Sequence, residues 1–398
     1  LLSVDEFLNT VKRADYDKEV VPGINEFLIE FRKEFKNFVQ IKLKSDPLYQ
    51  KRRVIISDSF VQGEAEHKIM DFLRYESNQP SWDPNTKVCI CSMDNDLINL
   101  SLQTYIKNIT LINFVRDDLT ALLIDIKVLR DSIGLELNAT EQELINRIDD
   151  LVMMTILVSN DFTPVFPDLP AVSMDILFNL YKSILSQNHD FVLFKDGSFQ
   201  LDNVKLFLDT LIKKYIAKDE STKKGYLIAF ENMFPNSPVE EMSRSYFETI
   251  AWTMYLYKYG CPSYSYYYKY EYAPPLSAAV NYVDSILKPI NDFTENFQYL
   301  TRPVQFVLSG GHVDEGIDKK LIEKLKAPES PVAYMLEKSQ KKKNKKKKNK
   351  KKNKNKKKDE ENKDDDNKEE EEEEEDSMKK IDIELVIQTV CQYEQELN

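Results

Sequence analysis

The sequence predicts an α/β fold, with a mostly parallel central sheet flanked by helices and a helical extension after it. Three observations carry this expectation. Short apolar runs alternate with helically spaced segments between residues 53 and 158, the pattern of parallel strands joined by crossover helices. Acidic residues fall just beyond strand-like runs, where sites form in such sheets. From residue 173 to about 252 the spacing is mainly helical.

Taken in order, residues 53–58 read as a short buried strand leading into a polar loop. A helix is expected over 66–74, with Ile69, Met70, Phe72 and Leu73 as its apolar positions. Residues 87–92 read as a second strand, with Asp94 and Asp96 just beyond it, and 109–115 as a third. Residues 122–133 and 141–158 read as helices. Residues 246–272 hold ten Tyr together with Phe247 and Trp252. Four segments follow: an α/β core over 1–172, a helical and aromatic extension over 173–340, a low-complexity insert over 341–376, and a C-terminal helical piece over 377–398.

The chain has 398 residues, 42% of them hydrophobic, enough for a sizeable core. Leu1 stands first instead of Met, so an incomplete or processed chain is expected. No run of about 18 apolar residues occurs, so no membrane span is expected. No basic segment precedes an apolar one at the start, so no secretory signal is expected either. The four cysteines form no CxxC pair, which favours free thiols over a zinc site. Cys89 and Cys91 are read as facing opposite sides of one strand. The net charge of −12 argues against a generally basic RNA coat, although an acidic protein can still carry a locally basic groove.

The insert stands apart. Residues 341–358 contain only Lys and Asn, 14 of them Lys, and 359–376 carry 14 acids against two Lys. Such blocks cannot bury apolar surface and are expected to be solvated. A basic arm for RNA or a nuclear import signal is the functional alternative, and the acidic neighbour would weaken either.

Three acidic clusters fall where this fold would put a site: Glu64 and Glu66 at a strand-to-helix turn, Asp94 and Asp96 at a strand end, and Asp161 after an apolar helix. Each has an ordinary explanation, as a partner for a helix dipole, as turn chemistry or as a helix stop. Together they say more. Five carboxylates at one sheet edge would repel one another unless cations sat among them, and such oxygen ligands suit Mg²⁺ or Mn²⁺. Two such ions about 4 Å apart can activate a water and stabilise the leaving oxygen of a phosphodiester. With three histidines and nine scattered glycines, no Ser–His–Asp set and no phosphate loop competes.

The same residues lie in motifs. VQGEAEHKIM at 61–70 resembles the PGEGEHKIM signature of Xrn-type 5′→3′ exoribonucleases, and DPNT at 83–86 resembles the element that follows it. SMDNDLI at 92–98 is similar to GLDADLI. IDDL at 148–151 with LVSNDFTP at 157–164 resembles IDDF and LVGNDFLP. GCPSYSYYYKYEYAP at 260–274 resembles GCPSWSWYYPYHYAP. The flanks agree: VPG at 21–23 with Phe27 resembles TPG and its Phe, and IDIE at 381–384 resembles FIDE. There are departures. Ala65 and Ser159 replace Gly, Tyr264 and Tyr266 replace Trp, and Glu271 replaces His.

The resemblance implies a sheet like that of flap endonucleases. It implies processive removal of nucleotides from RNA bearing a 5′-monophosphate, with two Mg²⁺ or Mn²⁺ ions. Glu64, Glu66, Asp94, Asp96 and Asp161 become the expected catalytic and metal-binding residues. Two further Asp and a basic helix that grips the 5′-phosphate would lie upstream of Leu1, so the chain alone is expected to be catalytically incomplete. Tyr264 and Tyr266 are expected near the RNA channel, as base-stacking rings or as packing. Lys68 either meets a phosphate or pairs with Glu64. An inactive RNA-binding or scaffolding paralogue is the alternative, and a DNA flap nuclease a further one. The lysine run points to the nucleus and the lack of a zinc-knuckle pattern to the cytoplasm; the sequence leaves both open.

Overall fold

The computed structural model describes residues 26–58, 61, 63–92, 94–104, 106–114, 121–169, 172–294, 302–308, 317–336 and 383–397. The described residues form two compact units, one within residues 63–297, the other within 21–62 and 298–398. The first described helix, α1 (Glu26–Ser45), belongs to the smaller unit.

The larger unit opens with α2 (Ala65–Ser77), which follows the positive-φ turn at Gly63. Its Glu66 lies in the first turn, favourably placed for the helix dipole. His67, Met70 and Leu73 recur at three-residue spacing and form its buried face. Then come β1 (Lys87–Cys91), α3 (Asp96–Leu102), β2 (Asn108–Phe114), β3 (Ala121–Asp125), α4 (Ile126–Glu136) and α5 (Glu141–Val158). β1 pairs with β2 in parallel, with Lys87 opposite Asn108 and Cys91 opposite Ile112. β2 pairs with β3 antiparallel, with Thr110 opposite Asp125.

The sheet of the described residues is therefore mixed, not mostly parallel. The reason lies in residues 122–133, expected as one helix. Asp125 accepts from the backbone N–H groups of Lys127 and Val128, so the helix can begin only at Ile126. The apolar run before that cap is free to extend and joins β2 as an edge strand. Residues 53–58 are not a strand either. They have no ladder partner among the described residues, and Val54 and Ile55 are exposed. Cys89 and Cys91 are both exposed on one side of β1, because residues two apart on a strand share a face.

α5 is set by a capping box. Thr140 Oγ1 accepts from the Glu143 N–H, while the Glu143 carboxylate accepts from the Thr140 N–H at 2.8 Å. Beyond it lie α6 (Met174–Leu185), a hairpin of β4 (Phe194–Lys195) and β5 (Ser198–Phe199), α7 (Leu201–Leu211), α8 (Glu220–Met233) and α9 (Val239–Tyr259). α9 is the core helix. From Met242 to Tyr257 it buries residues on all its faces, among them Tyr246, Phe247, Ile250, Trp252 and Leu256. Four of the run's tyrosines, Tyr246, Tyr255, Tyr257 and Tyr268, are core side chains. One hydrophobic core runs from Met70 to Phe293.

In the smaller unit, α10 (Arg302–Leu308) and α11 (Lys319–Lys326) pack against α12 (Ile383–Leu397). Val386, Val390 and Tyr393 are buried there, as are Leu321 and Leu325. On α1, Arg32 and Lys36 pair with Asp58 at 2.7 and 2.8 Å. The insert at 341–376 lies outside the described residues.

Candidate metal centre

Three segments of the larger unit carry the expected carboxylates. The first is the start of α2. Gly63 has φ +93°, and a Cβ there would lie 3.4 Å from the Tyr264 hydroxyl, so the turn favours glycine. Glu64 follows as the extended residue before the helix. Glu64, Glu66 and His67 each present a ligand atom, all within 4.8 Å of one another.

The second segment is the turn after β1. The Asp94 N–H donates to Ser92 Oγ at 3.1 Å, and the Asp96 N–H donates to Asp94 Oδ1 at 2.9 Å. This short-range pairing turns the chain sharply from β1 into α3. The third is the end of α5. Asn160 Oδ1 accepts from the N–H groups of Phe162 and Thr163 at 2.8 and 2.9 Å. Phe162 is buried with its ring against Trp252. Asp161 is left exposed between these anchors.

Electrostatics join the three segments. Burial pushes the Asp96 carboxyl up to about 6, the hydrogen bond from Tyr257 opposes this, and the negative charges of Asp161, Asp94 and Glu66 push it further up. Charges act on one another in this way only at close range. The charges of Asp161, Asp94 and Glu66 thus act on Asp96, while the group of ligand atoms within 4.8 Å of one another among the described residues is Glu64, Glu66 and His67. The donor set consists of hard carboxylate oxygens that repel each other, which fits a divalent cation of the Mg²⁺ type.

Two neighbours escape the sequence-level reading. The Tyr257 hydroxyl donates to Asp96 Oδ2 at 2.6 Å. The His67 ring lies 5.9 Å from that of Tyr257, with its Nδ1 buried and unpartnered. Burial, helped by Arg74, holds His67 down at about 4 and hence neutral at pH 7. His67 stands beside the two glutamates in the motif, a signal that was available. Tyr257 offered none beyond its place in a tyrosine-rich run.

Of the expected RNA-contacting residues, Lys68 and Tyr264 both lie beside Gly63. Tyr266 is engaged in packing. It stacks on Trp252 at 6.0 Å, meets Phe293 edge-on at 5.0 Å and carries the Lys288 ammonium over its ring at 5.5 Å.

The family model described as "XRN 5'-3' exonuclease N-terminus" matches residues 3–114, and the one described as "Xrn1 helical domain" matches 141–232. The chain belongs to the Xrn family. In this Xrn chain Glu64, Glu66, Asp94 and Asp96 fall in the first match, and Asp161 falls in the second. "5'-3' exoribonuclease 2" of Debaryomyces hansenii is 31% identical over 261 residues, which is 56% of this chain and 25% of that protein. The Gallus gallus protein of the same name is 28% identical over 249 residues, 49% of this chain and 26% of that one. "5'-3' exoribonuclease 1" of Homo sapiens is 29% identical over 195 residues, 44% of this chain and 11% of the human protein. This Xrn chain thus matches about a quarter of the yeast and chicken relatives' length. No described helix is long and apolar enough to cross a membrane.

Proposed function

We propose that the protein is a 5′→3′ exoribonuclease that hydrolyses RNA bearing a 5′-monophosphate, using two Mg²⁺ or Mn²⁺ ions, in RNA decay or processing. The observation that supports this reading is the action of the Glu66, Asp94 and Asp161 charges on Asp96 from three separate segments, with the Glu64, Glu66 and His67 ligand atoms grouped within 4.8 Å. The names of the relatives supply the reaction class. Bound divalent ions would activate a water and stabilise the leaving oxygen of the phosphodiester. The chain's own contribution is to hold the ligands: Glu64 and Glu66 from the start of α2, Asp94 and Asp96 from the end of β1, and Asp161 from the end of α5. Tyr264, beside the Gly63 turn, is assigned to stack on an RNA base, a contact worth about 1–3 kcal/mol. Tyr266 backs the same strip from its packed position, and Lys68 is assigned to a phosphate. The sheet is taken to be of the flap-endonuclease kind, which is supported by the parallel β1–β2 pair with its acids beyond the carboxyl end of β1.

The test offers the full-length protein three RNAs labelled at the 3′ end, with a 5′-monophosphate, a 5′-triphosphate or a 5′-hydroxyl. The expected result is stepwise loss of the monophosphorylated RNA alone, stopped by chelation and restored by Mg²⁺ or Mn²⁺. Equal degradation of all three, or internal cleavage, contradicts the proposal.

A further inference from the structure

The last turn of α9 is tied to every segment that carries the acidic residues. The Tyr257 hydroxyl donates to Asp96 Oδ2 at 2.6 Å, reaching the turn after β1. The Tyr257 carbonyl accepts from the Arg74 guanidinium at 3.3 Å. Arg74 belongs to α2, whose start carries Glu64 and Glu66. One residue on, Lys258 forms a buried ion pair with Asp149 of α5, the helix that ends just before Asp161. Asp149 also accepts from Gln103 at 3.1 Å, at the far end of the helix that begins with Asp96. Gly260 then closes α9 so near to α2 that a Cβ would stand 2.8 Å from Asp71 Oδ1.

The chemistry of the two neighbours is complementary. A lysine against Asp96 would neutralise the carboxylate and compete with a cation for it. The lysine of this turn is spent on Asp149 instead. A phenol donates a hydrogen bond without bringing charge, so it can fix one carboxylate oxygen and leave the group anionic. Carboxylates that bind metals are oriented by such hydrogen bonds. Tyr257 is 2% exposed, so water does not compete for this bond.

We propose that Tyr257 is a positioning residue of the metal centre. Its hydroxyl holds the Asp96 carboxylate in the orientation that ligates a divalent cation, and the Arg74 and Lys258–Asp149 contacts fix the turn that presents it. The proposal rests on the metal-centre reading above, and its test separates the two.

The 398-residue chain is titrated with Mn²⁺, and free ion is followed by its electron paramagnetic resonance signal. Four proteins are compared: wild type, Tyr257→Phe, Tyr181→Phe, and the double variant Asp94→Asn/Asp96→Asn. Thermal melts establish that each is folded. Tyr257→Phe deletes one oxygen and keeps the ring. It is expected to weaken Mn²⁺ binding on the order of 10–100-fold. Tyr181→Phe removes another buried phenol, one that donates to Asp150 at 2.5 Å, and is expected to bind Mn²⁺ as wild type does. If Tyr257→Phe binds like wild type while the double variant loses binding, the positioning role is overturned and the metal centre stands. If the double variant binds like wild type, the metal centre is overturned and the proposal with it. Equal losses in the two Tyr→Phe variants would reduce Tyr257 to general packing and overturn its specific role.

Discussion

Asp96 and Asp150 are both pushed upward by burial, to about 6 and about 7, yet their surroundings differ. Asp96 accepts from one neutral donor and feels three acidic charges, the setting that the proposed metal centre calls for. Asp150 accepts from the Tyr181 hydroxyl at 2.5 Å and from the backbone N–H groups of Leu193 and Phe194 at 2.9 and 2.8 Å, the setting of a structural anchor. Because its folded-state value lies above the ordinary 3.8, its contribution to stability is complete below about pH 4 and is lost as pH rises through about 7. Unfolding free energies of wild type and Asp150→Asn, measured at about pH 4 and pH 7.5, are expected to shift against the wild type at the higher pH. A shift the other way would mean that Asp150 is buried as a charge. Asp150→Ala strands two backbone donors and is expected to cost about 1–3 kcal/mol. The acidic pairs Glu64/Glu66 and Asp94/Asp96 could be picked out in the sequence as candidates because their spacing is local. Tyr257 could not, since its partner Asp96 lies 161 residues away and only the fold joins them.

At the scale of elements, α2 was legible because Met70 and Leu73 repeat at helical spacing, and β1 and β2 because their apolar runs are short. β3 was not, because Ala121 to Ile124 has no period of its own and only Asp125 marks where the helix starts. The contacts that register these elements are equally non-local. Lys258 and Asp149 tie α9 to α5 across the core. Removing one partner of a buried pair leaves the other charge uncompensated, so Lys258→Met is expected to cost about 3–5 kcal/mol. Adding Asp149→Asn should recover part of that loss in denaturant titrations; a double variant no more stable than the single would contradict the pairing. Gly260, at φ +101° and against Asp71, admits no side chain cheaply. Gly260→Ala is expected to lower stability by about 1–3 kcal/mol, and an unchanged melting temperature would refute the close approach of α9 to α2.

For the whole molecule, the α/β core followed by helices was legible from composition and spacing. The mixed sheet and the exposure of Val54 and Ile55 depend on which strands find partners, which no local pattern encodes. The block at 341–376 cannot bury apolar surface by its composition. Excising it and joining the ends with a short linker is expected to leave the melting temperature nearly unchanged. Deleting 383–397 removes Val386, Val390 and Tyr393 from α10 and α11 and is expected to lower it clearly. Equal effects of the two deletions would mean that α12 does not contribute to the smaller unit.

The central claim, that acidic residues from three segments form one divalent-metal centre, is tested most directly by anomalous diffraction from crystals of the protein grown with Mn²⁺. The expected result is an anomalous peak among Glu66, Asp94, Asp96 and Asp161, with carboxylate oxygens about 2.0–2.6 Å away. Strong Mn²⁺ peaks elsewhere, with none among these four residues, would contradict it.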